Sequence, residues 1–118
     1  MRGTPLHEYS IVQALVERVE AIARERNALA VRRLLVRIGE LSGVEPELLA
    51  TAFTTFRANT VCEGAEMTIL PVAARWMCSG CRRGIQRGEI LRCAACGAPG
   101  RLSEGDEIIL ERVEMEVA

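Results

Sequence analysis

The 118-residue sequence has few aromatic residues and no excess of positive charge. Aromatic residues make up 3% of the chain, and the formal net charge is −1 at pH 7. General nucleic-acid binders carry a basic surface, and proteins that hold single strands stack bases on aromatic rings. Both deficits argue against nucleic acid as a partner. The N-terminal segment also lacks an apolar run long enough for a signal peptide or a membrane span, so we expect a cytoplasmic protein with no membrane partner.

The sequence is equally poor in the groups that most enzymes use. It contains one histidine, His7, and no glycine-rich loop of the kind that cradles phosphates. A nucleophilic serine or cysteine is usually activated by a neighbouring histidine, and a catalytic zinc keeps one coordination position open. We find neither a nucleophile–base pair nor an open ligand set. The chain is therefore predicted not to be an enzyme.

Four of the five cysteines form two Cys-x-x-Cys pairs with eleven residues between them. The four residues are Cys78, Cys81, Cys93 and Cys96. This spacing is typical of a structural zinc site, because each pair fits a tight turn and four thiolates leave no open position. Two disulfides, four free thiols or a thioredoxin-like redox pair are the alternatives, but no secretion signal or strand-then-helix context supports them. The fifth cysteine, Cys62, is expected to be a small buried apolar residue.

Hydrophobic periodicity predicts two helices and three strands around the cysteine pairs. Ser42 and Glu45, followed by Pro46, are interpreted as the start signal of the second helix. Pro71 is expected to interrupt the second strand or to leave it on a sheet edge. The predicted elements are a helix over 7–27, a strand over 31–40, a helix from 46 to about 59, a strand over 65–70 and a strand over 108–117.

Treating the cysteine module as an insertion leaves an α+β unit in which two helices cover a three-stranded sheet. We assign residues 1–75 with 103–118 to this domain and residues 76–102 to a zinc-ribbon-like module. Ile85 and residues 90–91 are the predicted hairpin positions of the module. The strands that flank the module are expected to run antiparallel and to carry it as a two-stranded stalk.

Three segments, in this order and at this approximate spacing, resemble the HypA/HybF family of hydrogenase-maturation nickel metallochaperones. They are His7-Glu8-Tyr9-Ser10-Ile11, residues 38–47 and the cysteine quartet. A lone histidine is by itself more often an ordinary surface or capping side chain. The resemblance implies that His7, with Glu8 beside it, binds transferable Ni²⁺ and that the quartet holds structural Zn²⁺. It also implies two partners, a nickel-handling GTPase and the [NiFe]-hydrogenase large subunit that receives the nickel.

The sequence departs from the family pattern before His7. Members of the family begin Met-His-Glu, so one nickel ion can take the imidazole, an amide nitrogen and the terminal amine. Here His7 is internal. One hypothesis is that translation starts at Leu6 on a non-AUG codon. The other is that the extension is natural and that His7, nearby amides and a carboxylate such as Glu8 or Glu40 bind the metal.

A rival interpretation comes from the arginines of the module, Arg82, Arg83, Arg87 and Arg92. This cluster is the feature that a zinc-ribbon nucleic-acid-binding or transcription-associated module would use. The simpler interpretation is a solvated hairpin whose positive charge offsets the net −2 of a four-thiolate zinc centre. A homodimer formed through exposed strand edges is a further alternative for the assembly.

Overall fold

Two helices and two small sheets make up the part of the chain that this computed structural model describes, residues 5–86 and 92–117. Neither of these two helices combines the length and the apolar composition that a membrane-spanning helix needs. The predicted hairpin positions 90–91 lie outside the described residues. In chain order the elements are α1 (Pro5–Glu25), β1 (Ala28–Gly39), α2 (Pro46–Phe56), β2 (Glu66–Val72), β3 (Arg75–Cys78), β4 (Gly84–Ile85), β5 (Gly100–Glu104) and β6 (Ile108–Val117).

The first helix, α1, forms as its periodicity predicts. Val12, Val16 and Val19 recur at helical spacing and are buried against the sheet and α2, because a helix in a small domain gains most of its stability from one packed apolar face. The chain leaves the helix at Asn27, whose φ of 53° is left-handed. Asparagine tolerates this conformation at helix ends better than most residues do. Asn27 has the left-handed conformation expected of it, but the last helical residue is Glu25, two positions before the predicted end.

The strand β1 is the centre of the first sheet, whose order is β2-β1-β6. Leu34, Val36 and Ile38 are buried on its inner face, as predicted. The connection through α2 brings β2 back parallel to β1, whereas β6 pairs antiparallel on the other side, since a helical crossover joins parallel neighbours. Pro71 lies in β2 at the edge of the sheet, where its missing N–H costs no ladder hydrogen bond. The predicted α+β class is confirmed.

The predicted two-stranded stalk is wrong. The flanking strands β2 and β6 do run in opposite directions, but β1 lies between them and they do not pair with each other. With a strand on each side, the twelve-residue β1 can satisfy its backbone groups along both edges. The cysteine module is instead carried by its own sheet, of order β4-β3-β5.

The start of α2 also differs from the prediction. Its N-cap is Glu45, in an extended conformation, and Ser42 is not the capping residue. The Ser42 hydroxyl instead accepts a hydrogen bond from the Val44 amide at 3.3 Å. Pro46 explains the shift, because a proline forces the preceding residue out of the helical region. The last helical residue is Phe56, three positions before the predicted end.

The two connections between the sheets pass close to the end of β1. The Leu41 amide donates to the Gly105 carbonyl at 2.7 Å, and the Ala74 amide donates to a carboxylate oxygen of Glu40 at 2.8 Å. A Cβ at Gly39 would lie 2.3 Å from the Gly105 carbonyl group, and one at Gly105 would lie 2.5 Å from the Ala74 Cα. Gly105 also has a φ of 107°. Glycine is therefore required at both positions of this crossing.

Candidate metal sites

The four paired cysteines come together in the module. Their sulfur atoms all lie within 4.8 Å of one another, with Cys78 and Cys96 3.3 Å apart and Cys81 and Cys93 3.7 Å apart. None is in a disulfide. A tetrahedral zinc ion with Zn–S bonds of about 2.3 Å requires sulfurs about 3.8 Å apart. The quartet fits a four-thiolate zinc site, as the spacing predicted.

The two cysteine pairs lie on turns of the same construction. In the first turn, the Arg82 amide donates to the Cys78 carbonyl at 3.1 Å, and in the second the Gly97 amide donates to the Cys93 carbonyl at 2.9 Å. Arg82 and Gly97 both have left-handed φ angles, 64° and 77°. Each turn aims backbone N–H groups at sulfur, since the amides of Gly80 and Ala95 lie 3.2 and 3.3 Å from the first sulfur of their own pair.

These amides favour the thiolate forms that bind metal. The Cys96 amide, followed by the Arg83 side chain, lowers the pKa of Cys93 from 9.0 to about 6, and the Cys81 amide lowers the pKa of Cys78. For Cys81, the Arg83 amide acts in the same direction, but hydrogen bonding with Cys78 and Cys93 raises its pKa to about 11. Zinc would displace that shared proton, because a bound thiol is deprotonated.

Cys62 lies outside this group. It is fully buried in the core of the first sheet, and burial raises its pKa from 9.0 to about 11. A thiol that stays protonated at neutral pH is a poor nucleophile and a poor metal ligand. The prediction that Cys62 is a small apolar residue is confirmed.

The first turn of α1 carries the two residues of the predicted nickel site. His7 is exposed, and Glu8 next to it is completely buried. One Glu8 carboxylate oxygen, Oε2, accepts a hydrogen bond from the Glu45 amide at 3.1 Å. The other, Oε1, is buried and has no hydrogen-bond partner among the residues that the structure describes.

The contact between Glu8 and the Glu45 amide was missed by the sequence analysis. The first amides of a helix lack partners within it, so a capping acceptor was to be expected, but Glu8 is 37 positions away. The carboxylate of Glu40, the other proposed ligand, accepts a hydrogen bond from the Ala74 amide at 2.8 Å. Over residues 5–86 and 92–117, the cysteine quartet is the one group of three or more potential ligands whose donor atoms converge.

The fold and the closed four-thiolate site define a small α+β metal-binding protein whose first helix carries a buried carboxylate, that of Glu8. The pattern described as "Hydrogenase/urease nickel incorporation, metallochaperone, hypA" matches residues 6–115. This match covers most of the chain, and the chain belongs to the HypA family. Family membership makes it a metallochaperone and maturation factor and not an enzyme, as predicted.

Relatives and solved structures agree over nearly the whole length. The chain is 40% identical over 114 residues to hydrogenase maturation factor HypA of Aquifex aeolicus, covering 95% of this chain and 99% of that protein. It is 38% identical over 117 residues to the protein of the same name from Shewanella oneidensis, covering 96% and 98%. The solution structure of the Ni metallochaperone HypA from Helicobacter pylori aligns with a TM-score of 0.72 at 29% identity, covering 94% of this chain and 98% of that one. A further solution structure, of a HypA protein, aligns with a TM-score of 0.80 at 29% identity, covering 96% and 98%.

Proposed function

We propose that this protein binds Ni²⁺ at the start of α1, through His7 and Glu8, and delivers it to the [NiFe]-hydrogenase large subunit. A nickel-handling GTPase is the proposed partner in that transfer, and the cytoplasm is the proposed compartment. Residues 1–75 with 103–118 form the nickel-handling domain, and residues 76–102 form a module held by structural zinc. The curated relatives are named hydrogenase maturation factors, which favours hydrogenase over urease as the enzyme served.

The observation that carries the nickel site is the buried Glu8 oxygen, Oε1, which has no hydrogen-bond partner within residues 5–86 and 92–117. Leaving a buried polar atom without a partner costs about 1–3 kcal/mol. The fully buried carboxylate of Glu8, with one hydrogen bond from the described residues, therefore carries a desolvation cost that those residues do not offset. A cation would supply the missing interaction. The exposed imidazole of His7, on the preceding residue, is the donor that Ni²⁺ prefers among the groups at this end of α1.

The chemistry of the two sites supports a division between resident and transferred metal. Four thiolates enclose a zinc ion without an open position, so it has no route for ligand exchange with a partner. His7 is exposed on the first turn of α1, where an incoming protein ligand can reach a bound ion. A site with few protein donors at the surface suits stepwise transfer, and a closed site suits a structural role.

Metal analysis of purified variants tests this assignment. The full-length chain is compared with His7→Ala, with Glu8→Gln and with a version that begins Met-His7, and nickel binding is measured by isothermal titration calorimetry. We expect His7→Ala to lose nickel, Glu8→Gln to weaken it about tenfold or more because a charged donor becomes neutral, and zinc to stay at about one per chain in all of them.

Glu25→Gln is the matched control, because it removes one exposed carboxylate at the opposite end of the same helix. Its nickel affinity should equal that of the parent. Nickel binding by His7→Ala as tight as that of the parent would refute the proposed site. If only the version that begins Met-His7 binds nickel, the terminal amine is an essential donor.

A further inference from the structure

Positive charge is concentrated in the cysteine module. Residues 76–102 contain five arginines and one glutamate, a net charge of +4, whereas the whole chain has −1 and the remainder therefore −5. Four zinc-bound thiolates around a dication would add −2, which leaves the module at +2. The module is thus an anion-attracting surface on an otherwise acidic protein, with or without its metal.

A cavity of about 420 Å³ lies in this module, between the first cysteine turn and β5. Its lining includes Arg82, Arg101 and Ser79 and no carboxylate. Neither arginine forms an ion pair with any other residue in the described ranges. Positions 75–86 and 92–104 contain one acidic residue, Glu104. Its carboxylate forms an ion pair with Arg75 at 2.8 Å. Two arginines from different segments therefore line one cavity with no carboxylate from the described part of the chain to pair with them, and the Cys78 thiolate of the quartet is the one anionic group in the lining.

Arg82 occupies a position where glycine would be favoured. Its φ of 64° is left-handed, and the equivalent position of the second cysteine turn is Gly97 with a φ of 77°. A residue with a Cβ is disfavoured by roughly 1–2 kcal/mol in this conformation. The first turn carries an arginine despite this cost, and this arginine lines the cavity. Because the matching position of the second turn is a glycine, the backbone strain kept at Arg82 indicates that the arginine side chain has a function.

We propose that this cavity binds a phosphate-type oxoanion between the guanidinium groups of Arg82 and Arg101. Guanidinium forks match phosphate oxygens in geometry and form charge-assisted hydrogen bonds with them, and two of them balance the charge of a dianion. Ser79, an exposed residue of the lining, offers its hydroxyl as a further donor. Met77 and Leu102 form an apolar part of the lining, which leaves room for a small organic group on the phosphate. The site is independent of the proposed nickel site.

Calorimetric titration of the zinc-loaded full chain with inorganic phosphate tests the proposal, with sodium chloride at matched ionic strength as the reference. Arg82→Gly and Arg101→Gln are each expected to weaken phosphate binding about tenfold or more, the range for losing a charged hydrogen-bonding partner. Arg26→Gln removes an exposed arginine just after α1, outside the cavity, and should bind phosphate as the parent does. Phenyl phosphate should bind more tightly than inorganic phosphate because its ring can contact the apolar lining.

Arg82→Gly separates lost binding from lost folding. Glycine fits the left-handed turn, so the variant should keep its zinc and show a higher thermal unfolding midpoint than the parent while binding phosphate more weakly. Three results would overturn the proposal: no saturable phosphate binding by the parent, equal binding by the parent and Arg82→Gly, or an equal loss in Arg26→Gln. Tight binding of single-stranded DNA that phosphate does not compete with would assign the arginines to nucleic acid.

Discussion

The crossing of Gly39, Ala74 and Gly105 predicts a graded loss of stability on adding single methyl groups. Gly105→Ala places a Cβ 2.5 Å from the Ala74 Cα and 2.8 Å from its nitrogen, at a φ of 107°. Both neighbours are backbone atoms, so a side-chain rotation cannot relieve the contact. The substitution therefore combines overpacking with backbone strain.

The two costs add to a large fraction of the stability of a small domain. Overpacking costs about 1–3 kcal/mol and a left-handed non-glycine residue about 1–2 kcal/mol, so we expect Gly105→Ala to lose about 2–5 kcal/mol out of a total of about 5–15 kcal/mol. Gly39→Ala should lose about 1–3 kcal/mol by overpacking. Gly43→Ala, at a φ of 81° with no atom within 4 Å, should lose about 1–2 kcal/mol by strain.

Urea unfolding of the zinc-loaded variants, followed by circular dichroism, measures these differences. Gly84→Ala is the neutral control, because nothing lies within 4 Å of the added Cβ and the backbone there is ordinary. The free energy of unfolding should fall most in Gly105→Ala, by intermediate amounts in Gly39→Ala and Gly43→Ala, and least in Gly84→Ala. If Gly105→Ala lost no more stability than Gly43→Ala, the close approach of Gly105 to the Ala74 backbone would be refuted.

Two further predictions concern the cysteines. Unfolded Cys62 ionises near pH 9.0 but the buried thiol only near 11, so its contribution to the free energy of unfolding is present below pH 9 and lost as the pH rises towards 11. In urea titrations, the free energy of unfolding should fall less between pH 8 and 10 in Cys62→Ala than in the parent. An identical pH dependence of the two proteins would contradict the raised pKa of the buried Cys62 thiol. Cys93→Ser or a strong chelator should remove zinc and abolish slow amide exchange in the module's sheet, while the first sheet keeps its protection. Retention of full zinc by Cys93→Ser would contradict the four-thiolate site.

Local patterns were sufficient for most of the elements. The apolar spacing of α1 and the alternation of Leu34, Val36 and Ile38 predicted which faces are buried, because helix and strand periodicities are properties of neighbouring residues. The cysteine quartet was predicted on the same basis, since its spacing reports two tight turns. The cap of α2 was misplaced by three residues because two local signals, Ser42 and Pro46, competed and the proline decided the backbone.

Contacts between distant segments could not be predicted in this way. The order β2-β1-β6 replaced the expected stalk because pairing partners are chosen by the packing of the whole sheet. The close approach of Gly39 and Gly105 depends on how two connections cross. No periodicity in the sequence encodes either arrangement.

The sequence by itself determined the two helices, the three strands of the first sheet, the closed four-thiolate set and the resemblance to a nickel metallochaperone family, because each depends on residue types at short or fixed spacings. Only the tertiary structure decided that Glu8 is buried with one oxygen that has no partner among the residues described. It also decided that Arg82 and Arg101 line one cavity without a described acidic partner. Burial and unpaired charge are properties of what surrounds a side chain. Those surroundings come from segments far apart in the chain, and folding alone brings them together.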